Sequence, residues 1–230
     1  MTAEPPVAFI HTSPSMIPVF KSLADELIEG KRIFNMVDES LLCDIIDQGR
    51  CPPATARRLV SHVIAADAAG ASHILVTCSS MGRAVEASRA LVGAAVLRVD
   101  EPMADQAIEI GSRIGVIATL PSTLEPTVEL IKSRASSASA AIEVTSQVVD
   151  CAFAAVMSGD GGKHDLLVGE ALRTLAKRVD VIVLAQASMA RVIDALQPEE
   201  RPVPILSSPR SAIIHLAELL RPDRGCAAWQ

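Results

Sequence analysis

A cysteine between an apolar run and a helix start is placed to do chemistry, and Cys78 in Thr77-Cys78-Ser79-Ser80-Met81 is one. Helix N-termini carry unpaired N–H groups and a positive dipole end, and both lower the pKa of a nearby thiol. The expectation is a reactive thiolate, acting as nucleophile or as acid and base. Three other segments share this setting: His11-Thr12-Ser13, Ala118-Thr119-Leu120-Pro121-Ser122-Thr123 and Ala185-Gln186-Ala187-Ser188. Each closes an apolar run and precedes a predicted helix. Small hydroxyls beside free N–H groups hold a carboxylate without bulk. Ser13, Ser79, Ser80, Thr119, Ser122, Thr123, Gln186 and Ser188 are therefore the candidate substrate-binding residues. Taken singly, each Ser or Thr could be only a helix N-cap. Four such segments able to meet in one cleft favour an anion site. His11 and Glu101 are possible auxiliary acids or bases, and Asp38 and Asp150 are carboxylates whose ordinary role is a cap or a solvated loop.

The elements that must position these residues occur twice. Ile10–Ser15 returns as Ile117–Ser122 after 107 positions, and the run closed by Thr77–Met81 returns as one closed by Ala185–Met189 after 108. Pro102 answers to Pro209, again at 107. Strands are predicted at Val7–Ile10, Ile33–Val37, Ile74–Thr77 and Ala94–Val99, then at Ile114–Ala118, Ile142–Val148, Val181–Leu184 and Val203–Leu206. Helical patterns lie between them, among them Pro18–Ile28, Thr55–Ala69, Gly82–Leu91, Met103–Gly111, Leu166–Arg178 and Ala212–Leu219. Alternating strands and helices with buried strands predict an α/β fold of two flavodoxin-like lobes, each a parallel sheet, related by a pseudo-twofold axis. The expected division is residues 1–111 with 210–230 against 112–209, with the site in the cleft between lobes. Ser133–Ala141 reads as a helix end and surface turn, and the Gly-rich Ser158–Lys163 as a flexible loop, because it lacks phosphate-loop spacing. Met81 and Met189, matched between the copies, are expected to pack beneath the strand-end loops.

Composition narrows the class. The chain has 230 residues, half of them apolar, and a net charge of −6. That charge argues against nucleic acid or an anionic membrane as partner, and no stretch is long and apolar enough to span a bilayer. Four Phe, one Trp and no Tyr point to a small, polar, aliphatic ligand. The five cysteines show no CxxC pairing and an odd count, which predicts reduced thiols in the cytoplasm. Cys43, Cys151 and Cys226 are read as packing or incidental. Neither metal nor cofactor is expected.

Val76-Thr77-Cys78-Ser79-Ser80 resembles the first cysteine motif of the aspartate/glutamate/hydantoin racemase superfamily, and Gly115–Thr123 resembles its second-lobe carboxylate motif. Glu101 before Pro102 is similar to an acidic residue often found at that helix start. The resemblance spans nearly the whole chain. It implies a cofactor-independent enzyme, first of all a racemase or epimerase, working next to the carboxylate of a small acid or amino-acid derivative, and a possible homodimer or higher homo-oligomer. Cys78 would be the first-lobe acid or base, with Ser79, Ser80, Thr119, Ser122 and Thr123 polarising the carboxylate. The family's second cysteine falls on Gln186, which cannot shuttle a proton. A one-thiol decarboxylase, a cis–trans isomerase working through a cysteine adduct, or a silent carboxylate-binding protein are the alternatives.

Overall fold

The structure is a computed structural model describing residues 4–221, so Cys226 and the other C-terminal residues lie outside it. Two four-stranded, all-parallel sheets form the frame, with strand orders β2-β1-β3-β4 and β6-β5-β7-β8. The first holds β1 (Val7–His11), β2 (Ile33–Val37), β3 (His73–Val76) and β4 (Ala95–Arg98). The second holds β5 (Arg113–Ala118), β6 (Glu143–Val148), β7 (Val181–Leu184) and β8 (Ile205–Ser207). Central strands β1 and β7 are buried along their whole length, as expected for a parallel sheet covered on both faces. The edge strands are more polar, and β6 reads Glu-Val-Thr-Ser-Gln-Val.

Among the described residues there are ten α-helices, five in each half of the chain. In the first half they are α1 (Met16–Leu27), α2 (Glu39–Gln48), α3 (Pro53–Ala68), α4 (Gly82–Ser88) and α5 (Glu101–Ile110). In the second they are α6 (Pro121–Ser137), α7 (Ala152–Met157), α8 (Gly161–Leu175), α9 (Ala190–Ala195) and α10 (Ser208–Leu219). Short 3-10 turns, Ser79–Met81 and Ala187–Met189, precede α4 and α9. Helix α2 has no counterpart in the sequence reading, yet its ends are well marked. Asp38 caps it by accepting from the Ser40 N–H at 3.0 Å, and Gly49 closes it at φ 65°. The Gly-rich Ser158–Lys163 is not a loop throughout. Asp160 caps α8 by accepting from the Lys163 N–H, so Gly161–Lys163 form its first turn.

Two helices cross between lobes. α10 returns to the first sheet, where Ala212, Ile213 and Leu216 share a core with Val7, Phe9, Phe20 and Leu75. α5 does the converse: Met103, Ala104 and Ala107 pack with Ile114, Val116, Leu130 and Val181 of the second lobe. Chain position alone places α5 in the first lobe, but its apolar face packs on the second sheet. Phe20 is fully buried, and truncating it to Ala would cost roughly 3–5 kcal/mol. Among the described residues, no helix is long and apolar enough to cross a membrane.

Candidate active site

The carboxyl ends of β1, β3 and β7, with the segment after β5, surround a cavity of about 250 Å³ between the lobes. Open parallel sheets present ligands at this end, where strand-to-helix connections leave N–H groups unpaired. Cys78, Ser79 and Ser80 enter from the turn before α4; Gln186, Ala187 and Ser188 enter from the matching turn before α9. Thr12, Ser13 and Ser15 come from the segment before α1, and Leu120 and Thr123 from the start of α6. The Ser80 and Thr123 hydroxyls meet across the lobes at 3.3 Å.

A threonine follows the first strand of each sheet, Thr12 after β1 and Thr119 after β5, and the second residue past the third strand is Cys78 or Gln186. The Thr12 hydroxyl is among the groups that favour the Cys78 thiolate. Thr119 donates from its backbone N–H (2.6 Å) and its hydroxyl (2.8 Å) to Gln186 Oε1. A backbone N–H can only donate, so the amide orientation is fixed: Oε1 faces Thr119 and the Nε2 amine is left as a donor. Thr119 itself is not on the cavity wall; it holds Gln186 there.

The electrostatics correct the expectation of a ready thiolate. Burial pushes the Cys78 thiol up from its ordinary value, and the charge of Asp100 pushes the same way. The Thr12 hydroxyl and the N–H groups of Ser80 and Met81 pull it down without prevailing. The turn does supply the donors predicted for a helix start, but the desolvation of this half-buried thiol outweighs them. Burial thus favours the protonated thiol of Cys78 over the thiolate.

Of the other candidates, Ser13, Ser79, Ser80, Thr123, Gln186 and Ser188 line this cavity with Cys78. Ser122 does not; with Ser80 it borders a neighbouring groove between α4 and α6. Nor does His11, which is fully buried beneath the site, with Nδ1 2.9 Å from the Thr77 hydroxyl and Nε2 2.9 Å from Asn35 Oδ1. Burial lowers its pKa more than the Asn35 bond raises it, so it is neutral. Glu101 lies off the cavity and pairs with Arg89 at 2.6 Å. Asp38 is occupied as the α2 cap and by His62 at 2.8 Å, and Asp150 is exposed. Met81 and Met189 are fully buried.

Sequence reasoning missed the apolar half of the wall. Met16, Leu42, Leu120, Phe153, Val156 and Met157 face the hydroxyl-lined half, so the space suits a ligand with an apolar body rather than an entirely polar one. Leu42 sits on α2 and the last three on α7, the helices that follow β2 and β6. Their one usable signal was position after the second strand of each repeat. Among the described residues, no cluster of three or more His, Cys, Asp or Glu could hold a metal ion.

Two facing α/β lobes with a strand-end cleft and a cysteine at its first-lobe turn define the architecture of this protein. Residues 9–216 match the model of the Asp/Glu/Hydantoin racemase family, and the chain belongs to that family. No curated protein matches it by sequence. Among solved structures it is similar to a putative Asp/Glu racemase from Yersinia pestis, with TM-score 0.72, 15% identity, and 93% of this chain and 98% of that one covered. Glutamate racemase isoform RacE1 from Bacillus anthracis gives 0.67 at 19% identity, covering 94% and 82%. Allantoin racemase from Klebsiella pneumoniae gives 0.68 at 19%, covering 94% and 87%. At such identities the likeness is one of fold.

Proposed function

We propose that this protein is a cofactor-independent enzyme that transfers a proton to one face of the carbon next to a carboxylate, with Cys78 as its only proton-transfer group. One observation carries the reading: among the side chains lining the cavity, Cys78 alone is ionisable. Inversion by two bases needs a second acid on the opposite wall. That wall holds Gln186, an amide that neither gives nor takes a proton near neutral pH. The racemase or epimerase reaction with two thiols therefore does not fit this chain, although its family is the racemase family.

A neutral thiol serves best where the carbanion arises by another route. Decarboxylation of a substituted malonate supplies one. The bond between the α-carbon and one carboxylate breaks, its electron pair stays on the α-carbon and spreads into the remaining carboxylate, and carbon dioxide leaves. The Cys78 proton then goes to that carbon, and water reprotonates the thiolate. Ser79, Ser80, Thr123, Ser188 and Gln186 Nε2 are the donors for the charge that builds on the retained carboxylate. The apolar wall of Leu42, Phe153, Val156 and Met157 takes the substituent. No cationic side chain lines the cavity, so a second carboxylate on the substrate's side chain would have no ion partner there.

The test is deuterium incorporation followed by NMR in D2O. Substituted malonates, amino acids, hydantoins and maleate are each incubated with wild type and with Cys78→Ala. Carbon dioxide loss with a single, stereospecific deuterium, absent from Cys78→Ala, is the expected result. Label entering both faces in wild type, or turnover surviving in Cys78→Ala, would overturn the proposal.

A further inference from the structure

Beneath the Cys78 turn lies a buried ion pair. Arg98, the last residue of β4, is 5% exposed and Asp100 is 0% exposed. Arg98 Nε and Nη2 donate to the two Asp100 oxygens at 3.0 and 2.8 Å, and Nη1 donates to Glu86 of α4. The guanidinium also fills the space under Gly82, the first residue of α4. A Cβ there would sit 2.3 Å from Arg98 Cζ. β3 pairs with β4 in the register Val76 to Arg98, and the Val99 N–H donates to the Val76 carbonyl at 3.2 Å, so Cys78 and Asp100 each lie two residues beyond the ends of adjacent paired strands.

The second lobe shows that the fold does not need this pair. Its corresponding stretch, Ile205-Leu206-Ser207-Ser208-Pro209, carries no charge. Where α4 begins with Gly82, α9 begins with Ala190, whose Cβ needs no space left by a guanidinium. Burying an ion pair is costly, and well-packed apolar residues often replace one without loss of stability. Its presence only under the lobe that carries the thiol calls for a reason beyond packing.

We propose that Arg98 and Asp100 are positioning residues for Cys78: Arg98 fixes the Ser79–Gly82 turn from below, and Asp100 holds a negative charge beside the sulfur. The inference rests on Cys78 being the proton-transfer group. Burial pushes the Asp100 carboxyl up from its ordinary value and the Arg98 guanidinium pulls it back, so its charge depends on Arg98; in its charged form Asp100 favours the protonated thiol. The charged and titratable groups around the turn are Arg83 and Glu86 on α4, Arg98 on β4, Asp100 and Glu101 at the start of α5, Arg50 and Cys51 before α3, and Glu125 and Glu129 on α6. Of these, Asp100 is the fully buried carboxylate, and solvent screens exposed charges such as the Arg83–Glu129 pair.

The experiment measures Cys78 alkylation by iodoacetamide against pH, peptide by peptide by mass spectrometry, in wild type, Asp100→Asn and Gly82→Ala, with kcat and KM alongside. Asp100→Asn removes a negative charge and leaves Arg98 positive, so the profile should move to lower pH and alkylation at neutral pH should rise several-fold. Gly82→Ala keeps every charge but displaces the guanidinium; kcat should fall several-fold with KM little changed. If both variants fold and both keep the wild-type profile and kcat, the pair is only structural. If Asp100→Asn does not fold, Gly82→Ala decides alone. Should Cys78→Ala retain turnover, the proposed function fails, while the alkylation profile still reports on the pair.

Discussion

The two lobes share strands and turns, yet the ionisable side chain on the cavity wall sits in the first. Under Cys78 lie His11, Thr77, Asn35, Arg98 and Asp100. At the matching places the second lobe has Ala118 for His11 and Ala185 for Thr77, both fully buried, and Gln186 for the thiol. One lobe keeps a polar, charged underlayer at a cost in desolvation, and the other keeps a dry one. The two walls are similarly built, and under the proposed function the proton comes from one of them. The other would then orient the carboxylate through Gln186, which Thr119 holds.

Removing the feature that separates the lobes should have the largest effect. Cys78→Ala takes away the only ionisable side chain on the cavity wall, and kcat should fall by about 10²–10⁴-fold, the usual range for a positioned acid. Steady-state turnover of a substituted malonate measures this. Binding of the product acid, read by calorimetry, should change little.

Making the lobes alike is the converse. Gln186→Cys restores a thiol to each wall and should create α-proton exchange with inversion, detectable as racemisation of a product acid in D2O. A folded variant that binds the acid yet shows no inversion would break the equivalence of Cys78 and Gln186 on which the comparison stands. A smaller effect is expected for Thr119→Val, which deletes the 2.8 Å bond to Gln186 Oε1 and leaves the backbone bond in place. The lost hydrogen bond is worth about 0.5–1.5 kcal/mol, so product-acid affinity should drop by roughly threefold to tenfold.

What the sequence disclosed follows the same line between shared and unshared parts. Duplicated landmarks are legible because they repeat: four strand ends, two turns and Met81 matched by Met189 predicted the sheets and most of the cavity's hydroxyl wall. Features present once per fold, or set by tertiary contact, were hidden. α5 reads as a first-lobe helix until its buried Met103, Ala104 and Ala107 are seen on the second sheet. Leu42 and Phe153 are ordinary helix residues in sequence, and only folding brings them to one wall. The helix-start rule predicted a lowered thiol pKa because local sequence shows the N–H donors and not the burial that outweighs them. Ser122 sits one residue from Thr123 on α6, and that one helical step turns it to a different groove.

The smallest expected effect concerns His11, the buried polar residue that the second lobe replaces with Ala118. Its ordinary pKa of 6.5 is lowered in the folded protein, chiefly by burial, so the unfolded chain takes up a proton at a pH where the folded one does not. A group of this kind makes no demand on stability above pH 6.5. As pH falls below that value, proton uptake by the unfolded state erodes stability until the folded pKa is passed. His73, lowered by burial and by Lys31, acts in the same direction, so the slope will not vanish when His11 alone is changed. His11→Gln keeps hydrogen-bonding groups toward Thr77 and Asn35 and removes the titration. Urea midpoints measured at pH 7.5 and pH 5 should therefore converge in His11→Gln relative to wild type, even if the variant is less stable at both. An unchanged difference between the two midpoints would mean that His11 titrates alike in folded and unfolded chains, and the contrast of a polar lobe with a dry one would then rest on Cys78, Arg98 and Asp100 without it.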